Sequence, residues 1–147
     1  MKTSDMPRSK MWNICLWIAQ GILAAMFLTV GFMKIATPIE ELSKIVPLAK
    51  EAPYLIRLIG MSELLGGLGL ILPTMLKVKP HLTTLAAFSL AVVMVLALVF
   101  HLFRGEVSAI GTNIVLGLLA VFIVWGRSKK AVIATKDRER SELNNIG

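Results

Sequence analysis

One cysteine, one tyrosine and two histidines are all that this 147-residue chain offers of the side chains most used for redox, radical and metal chemistry. A lone Cys15 cannot form an internal disulfide or a Cys-x-x-Cys pair, which removes oxidoreductases of the paired-thiol kind. The expectation for Cys15 is a small apolar residue in a helical core. His81 and His101 stand at opposite ends of one apolar run, too far apart to share a metal or to clamp one haem. No metal site is expected. The chain also has no phosphate-binding loop, zinc-ligand spacing or nucleophile elbow, so no catalytic residue is assigned and the reading leans away from an enzyme.

Charge is scarce as well, at 17% of residues against 56% hydrophobic, and it is missing from long stretches. Residues 11–33 have none, residues 58–76 have only Glu63, and residues 82–103 and 107–126 have none beyond His101. Each run approaches the ~20 residues needed to cross a ~30 Å hydrocarbon core as a helix. The predicted fold is therefore an all-α integral membrane protein, a four-transmembrane-helix bundle with spans at about 11–34, 54–73, 82–103 and 107–125. The first span is too long for the apolar region of a signal peptide and has no clear cleavage site, so it is read as retained. The predicted organisation is an N-terminal segment 1–10, a transmembrane domain 11–127 and a basic tail 128–147.

The formal charge of +7 suggests nucleic acid until the basic residues are placed on this topology. Lys2, Arg8, Lys10, Lys77, Lys79 and the six from Arg127 to Arg140 fall on one side of the four spans. Lys34, Lys44, Lys50, Arg57 and Arg104 fall on the other, offset by Glu40, Glu41, Glu51 and Glu106. By the positive-inside rule both termini are cytoplasmic. The basic excess is a topology signal, and no nucleic-acid partner is expected.

Glu63 is the pivot of the functional reading. A carboxylate at membrane depth costs at least ~2.5–3.5 kcal/mol, so such residues face a bundle interior with a partner. Glycines at 60, 66, 67 and 69 surround it, and small residues let helices approach closely. Along the first span Gln20, Ala24, Phe27, Gly31 and Lys34 recur at helical spacing and define an inward stripe. Thr37-Pro38-Ile39-Glu40 has the order of a capping box with proline at the first helical position, which predicts a short amphipathic helix from Thr37 in the first outer loop. By depth, Lys34, Arg57, Glu63, His101 and Asn113 share the outer half of the bundle. The candidate cluster is Lys34, Glu63, His101 and Asn113, with Gln20 and Arg57 as additional members; Gly31, Gly60, Gly66, Gly67 and Gly117 are assigned to helix packing.

Several readings of that cluster stay open on the residues alone. It locks the bundle, or it binds the head of a quinone- or lipid-like amphiphile entering from the bilayer. It could instead belong to a membrane subunit of a quinone-linked redox complex, or carry the proton of a small coupled exporter. A quinone is the one candidate cofactor. The candidate partners beyond lipid are a membrane redox protein and a second copy of the chain.

The motifs Gly31-Phe32-Met33-Lys34, Gly60-Met61-Ser62-Glu63-Leu64-Leu65-Gly66-Gly67, His101, Asn113 and Trp125-Gly126-Arg127, in that order, resemble the DoxX-like family of small bacterial membrane proteins. The resemblance covers roughly Ile14 to Arg127. It implies a four-helix bundle in the bacterial inner membrane and an association of some members with membrane redox complexes. Nothing in this chain resembles a thiosulfate site, so the resemblance supplies a fold and no reaction.

Overall fold

A computed structural model describes residues 8–79, 81–130 and 136–145. It contains seven helices and no strand among those residues: α1 (Arg8–Ala36), α2 (Ile39–Ile45), α3 (Leu48–Glu51), α4 (Pro53–Leu76), α5 (His81–Arg104), α6 (Val107–Lys129) and α7 (Lys136–Asn144). Helices α1, α4, α5 and α6 are each long and apolar enough to cross a membrane. Large apolar side chains such as Phe32, Leu65, Phe103 and Leu118 point out of the bundle, which a lipid environment tolerates and water does not. The chain is a multi-span membrane protein.

Proline sets several of the helix ends. Pro38 disfavours helical backbone at Thr37, and α1 ends at Ala36. Pro53 opens α4, where its missing N–H costs nothing. Pro73 does not close α4 as the sequence predicts; the helix runs on to Leu76 and turns at Lys77, whose φ of 52° is left-handed. A proline within the last turn forfeits one backbone bond, and a neighbouring helix can make that good. The capping box is not formed either. Pro38, not Thr37, stands at the N-cap of α2, with no side-chain cap bond. Thr37 still belongs to the end of α1, its N–H donating to the Met33 carbonyl at 3.1 Å. The predicted short helix is present, but it starts at Ile39.

The four long helices form a ring in which α1 packs on α4, α4 on α5, α5 on α6, and α6 returns to α1. Short turns make α4, α5 and α6 antiparallel neighbours, and α1 lies antiparallel to α4, with Gly31 against Gly60 and Gln20 against Leu70. Leu23, Phe27, Leu70, Leu90, Ala120 and Ile123, drawn from all four helices, fill the centre. At the end of the bundle away from the termini, Leu42 of α2, Ala49 of α3 and Ile56 of α4 form a second cluster, so the first loop folds down on the α1–α4 pair. The stripe Gln20, Ala24, Phe27 and Gly31 faces inward, and Lys34 ends it half-buried. Cys15 is a correction: it lies on the exposed face of α1 with Ile14 and Ile18, not in the core. The apolar run sets Cys15 at membrane depth but says nothing about which face it takes.

Candidate functional site

The site is built where α1 and α4 come closest. On α4 the residues Ile56, Gly60, Glu63, Gly67, Leu70 and Thr74 recur every three or four positions and form the buried face. Opposite Gly60 stands Gly31 of α1. A Cβ added to Gly31 would lie 2.8 Å from the Gly60 carbonyl oxygen and 3.1 Å from Glu63 Cβ. One added to Gly60 would lie 2.8 Å from Lys34 Cβ and 3.0 Å from the Gly31 carbonyl oxygen. Two glycines facing each other thus bring the backbones into contact, and this contact sets Lys34 beside Glu63.

Lys34 Nζ donates to Glu63 Oε1 at 2.6 Å, and the two side chains are 14% and 4% exposed. Among the described residues the other carboxylate oxygen, Oε2, is buried and accepts no hydrogen bond. The ammonium can also donate more bonds than this one. The pair is therefore joined but not fully satisfied.

Arg57 lies close by and serves a different end. Its Nη1 donates to the carbonyls of Lys34 and Ile35 at 2.5 and 2.6 Å, and its Nη2 to that of Thr37 at 2.8 Å. These are carbonyls at the C-terminus of α1 that have no partner within the helix. Arg57 caps α1 and so braces the turn that carries Lys34.

His101 and Asn113 are not joined to this pair. His101 Nδ1 is 2.6 Å from Glu106 Oε2, across the α5–α6 turn. Arg104 Nε donates to Glu106 Oε1 at 2.8 Å, and its Nη1 reaches Glu51 Oε2 of α3 at 3.1 Å. Arg104, and then His101, donating to the Glu106 carboxylate holds that group below the usual carboxylate range. Asn113 is half-buried within α6, and no side-chain hydrogen bond joins it to another described residue. Of the packing glycines, Gly67 lies against Leu28, and Gly66 against the branched end of Leu90. A Cβ added to Gly117 would meet Met94 Cβ at 3.5 Å, an ordinary contact distance.

Gln20 belongs to a second polar cluster at the end of the bundle that carries the termini. Its amide donates to the Leu70 carbonyl at 2.6 Å and to Thr74 Oγ1 at 3.3 Å, and Thr74 and Thr83 share a hydrogen bond of 2.8 Å. The Leu70 carbonyl that Gln20 reaches is next in the chain to that of Gly69, the one that Pro73, four residues on, leaves without a helical donor. Arg127 Nε donates to Gln20 Oε1, and its Nη1 to Asn13 Oδ1, each at 2.6 Å. The Arg127 guanidinium also stands 5.7 Å from the Trp17 ring centroid, and Trp12 meets Trp125 edge to face at 5.3 Å. Sequence reasoning assigned Arg127 to the basic boundary of the membrane, but it is only 4% exposed. The available signal was Asn13 and Gln20, two polar residues two turns apart on one face of an otherwise apolar helix.

Among the described residues no three His, Cys, Asp or Glu come together as metal ligands. Comparison with known proteins found no match among curated proteins or solved structures. A family comparison did match, over residues 18–123, a stretch that includes Gly31, Lys34, Gly60, Glu63, His101 and Asn113 and stops short of Arg127. On that match, and on its four apolar helices, the chain belongs to the DoxX-like family.

Proposed function

We propose that this DoxX-like protein is a non-catalytic, accessory membrane component whose Lys34–Glu63 site receives the polar head of a quinone- or lipid-like amphiphile. The observation that carries this reading is Glu63 Oε2, a buried carboxylate oxygen without a donor among the described residues. Leaving such an acceptor unpaired costs ~1–3 kcal/mol, more when it is charged, and a ligand that supplies the donor recovers that cost. Lys34 adds a cationic donor that is still 14% exposed, so the pair is approached from its lysine side. The basic residues at the termini end support cytoplasmic termini, hence a site in the non-cytoplasmic half of a bacterial inner membrane. A membrane redox protein or a second copy is the partner for such a component.

A packing lock is the second reading, favoured by the contact of Gly31 with Gly60, which holds α1 and α4 together whether or not a ligand binds. Mass spectrometry separates the two. Wild-type protein and Glu63→Ala are extracted directly into native-like lipid discs, and the small molecules each retains are compared. Binding predicts an amphiphile held by the wild type and lost from the variant. An identical complement from two folded proteins contradicts binding and leaves the lock.

A further inference from the structure

The chemistry of the unpaired oxygen selects among amphiphiles. We infer that the Lys34–Glu63 site takes a neutral head bearing a hydroxyl group, with the hydroxyl proton on Glu63 Oε2 and the hydroxyl oxygen accepting from Lys34 Nζ. This inference rests on the reading of the site as an amphiphile receptor.

The selection follows from the donors and acceptors present. Glu63 Oε1 is taken by Lys34 at 2.6 Å, and Oε2 is buried and accepts nothing among the described residues. Lys34 has donors beyond the one used. The pair thus presents one acceptor and one donor side by side, and a single hydroxyl answers both. A head with only a carbonyl or ether oxygen accepts from Lys34 but leaves Oε2 unpaired. A carboxylate or phosphate adds negative charge and more acceptors against Oε2. An ammonium donates to Oε2 but brings a like charge to Lys34, which is unfavourable in a medium of low dielectric.

The surroundings restrict the approach. Gly31 and Gly60 close the rear of the site by backbone contact, where a Cβ would lie 2.8 Å from its neighbour, so that wall does not give. Arg57 holds the end of α1 through three carbonyls. The Lys34 side chain is the adjustable part, 14% exposed on a four-carbon stem, and a small rotation that keeps its ammonium on Oε1 admits a head group beside Oε2. Fixed walls with one movable side chain favour a head the size of a hydroxyl over a bulky one.

The test uses the full chain in phosphatidylcholine discs and two photoreactive probes of equal chain length, a diazirine-bearing primary alcohol and its methyl ether. Labelling is read by mass spectrometry on peptides containing residues 31–37 and 57–66. The expected result is labelling of these peptides by the alcohol at least ~5-fold above the ether, the ratio that one satisfied hydrogen bond produces. In Glu63→Leu the ratio falls to about one by the same reasoning, as the ligand's donor has lost its acceptor. Equal labelling of these peptides by both probes in the wild type overturns the hydroxyl preference and leaves the amphiphile reading standing. Labelling by neither, with both probes labelling other parts of the bundle, overturns both.

Discussion

Replacing Lys34 by methionine removes the ammonium and keeps most of the apolar stem. The structure then holds a carboxylate 4% exposed with neither oxygen bonded, since Oε1 has only Lys34 and Oε2 has no donor among the described residues. Breaking a buried pair from one side costs ~3–5 kcal/mol. Glu63→Leu leaves instead an ammonium that is already 14% exposed and can turn toward the surface, so its cost is smaller, ~1–3 kcal/mol. The double variant, with no buried charge left, returns to within ~1 kcal/mol of the wild type, because an ion pair replaced by apolar groups of similar volume is often neutral. The four proteins are compared by reversible unfolding in mixed micelles, followed by far-UV circular dichroism. A Lys34→Met cost below ~1 kcal/mol, or a double variant as unstable as Lys34→Met, refutes the coupling of the two charges that the 2.6 Å contact implies.

Gly31→Ala presses a methyl onto the Gly60 backbone and Glu63 Cβ and is expected to cost ~1–3 kcal/mol. Gly117→Ala meets only Met94 at 3.5 Å and should be neutral or stabilising by up to ~1 kcal/mol in the same assay; a larger loss there than at Gly31 contradicts the packing described. Arg127→Met leaves the buried Gln20 Oε1 without its donor, a loss of ~1–3 kcal/mol read from the same unfolding curves, while Asn13, which is exposed, loses a bond that solvent replaces. At the opposite end, the Glu106 carboxyl is held low by Arg104 and His101. Its contribution is therefore fully present above the ordinary carboxylate range near ~4.3 and disappears as pH falls through the depressed value. Protection of the α5–α6 turn against hydrogen exchange, corrected for intrinsic rate, should hold from pH 7 to 5 and decline only below that; a decline centred above pH 5 contradicts it.

Periodicity made the inner face of α1 legible, because Gln20, Ala24, Phe27, Gly31 and Lys34 repeat at helical spacing and all turn inward or end half-buried. The need of Glu63 for a partner was legible from the cost of a buried charge alone. Its choice of Lys34 over Arg57 or His101 was not, since that depends on the backbone contact of Gly31 with Gly60. Arg57 is satisfied by carbonyls of α1, which a pattern of side chains does not display. His101 finds Glu106 five residues on, across a turn whose geometry is tertiary. Arg127 was assigned to the membrane boundary by the rule for terminal cations, yet Asn13 and Gln20 hold it inside. In each case the partner followed from how the helices approach, which the spacing of residues along one helix does not display.

The most direct measurement is an experimental structure of the protein in native-like lipid discs, read at one atom, Glu63 Oε2. The account predicts density that is neither protein nor water within ~3 Å of this oxygen, the hydrogen-bond range, continuing into an apolar tail along α1 and α4. An Oε2 contacted only by side chains or by water, with α1 and α4 packed as described, would contradict it and reduce the Lys34–Glu63 pair to a joint between two helices.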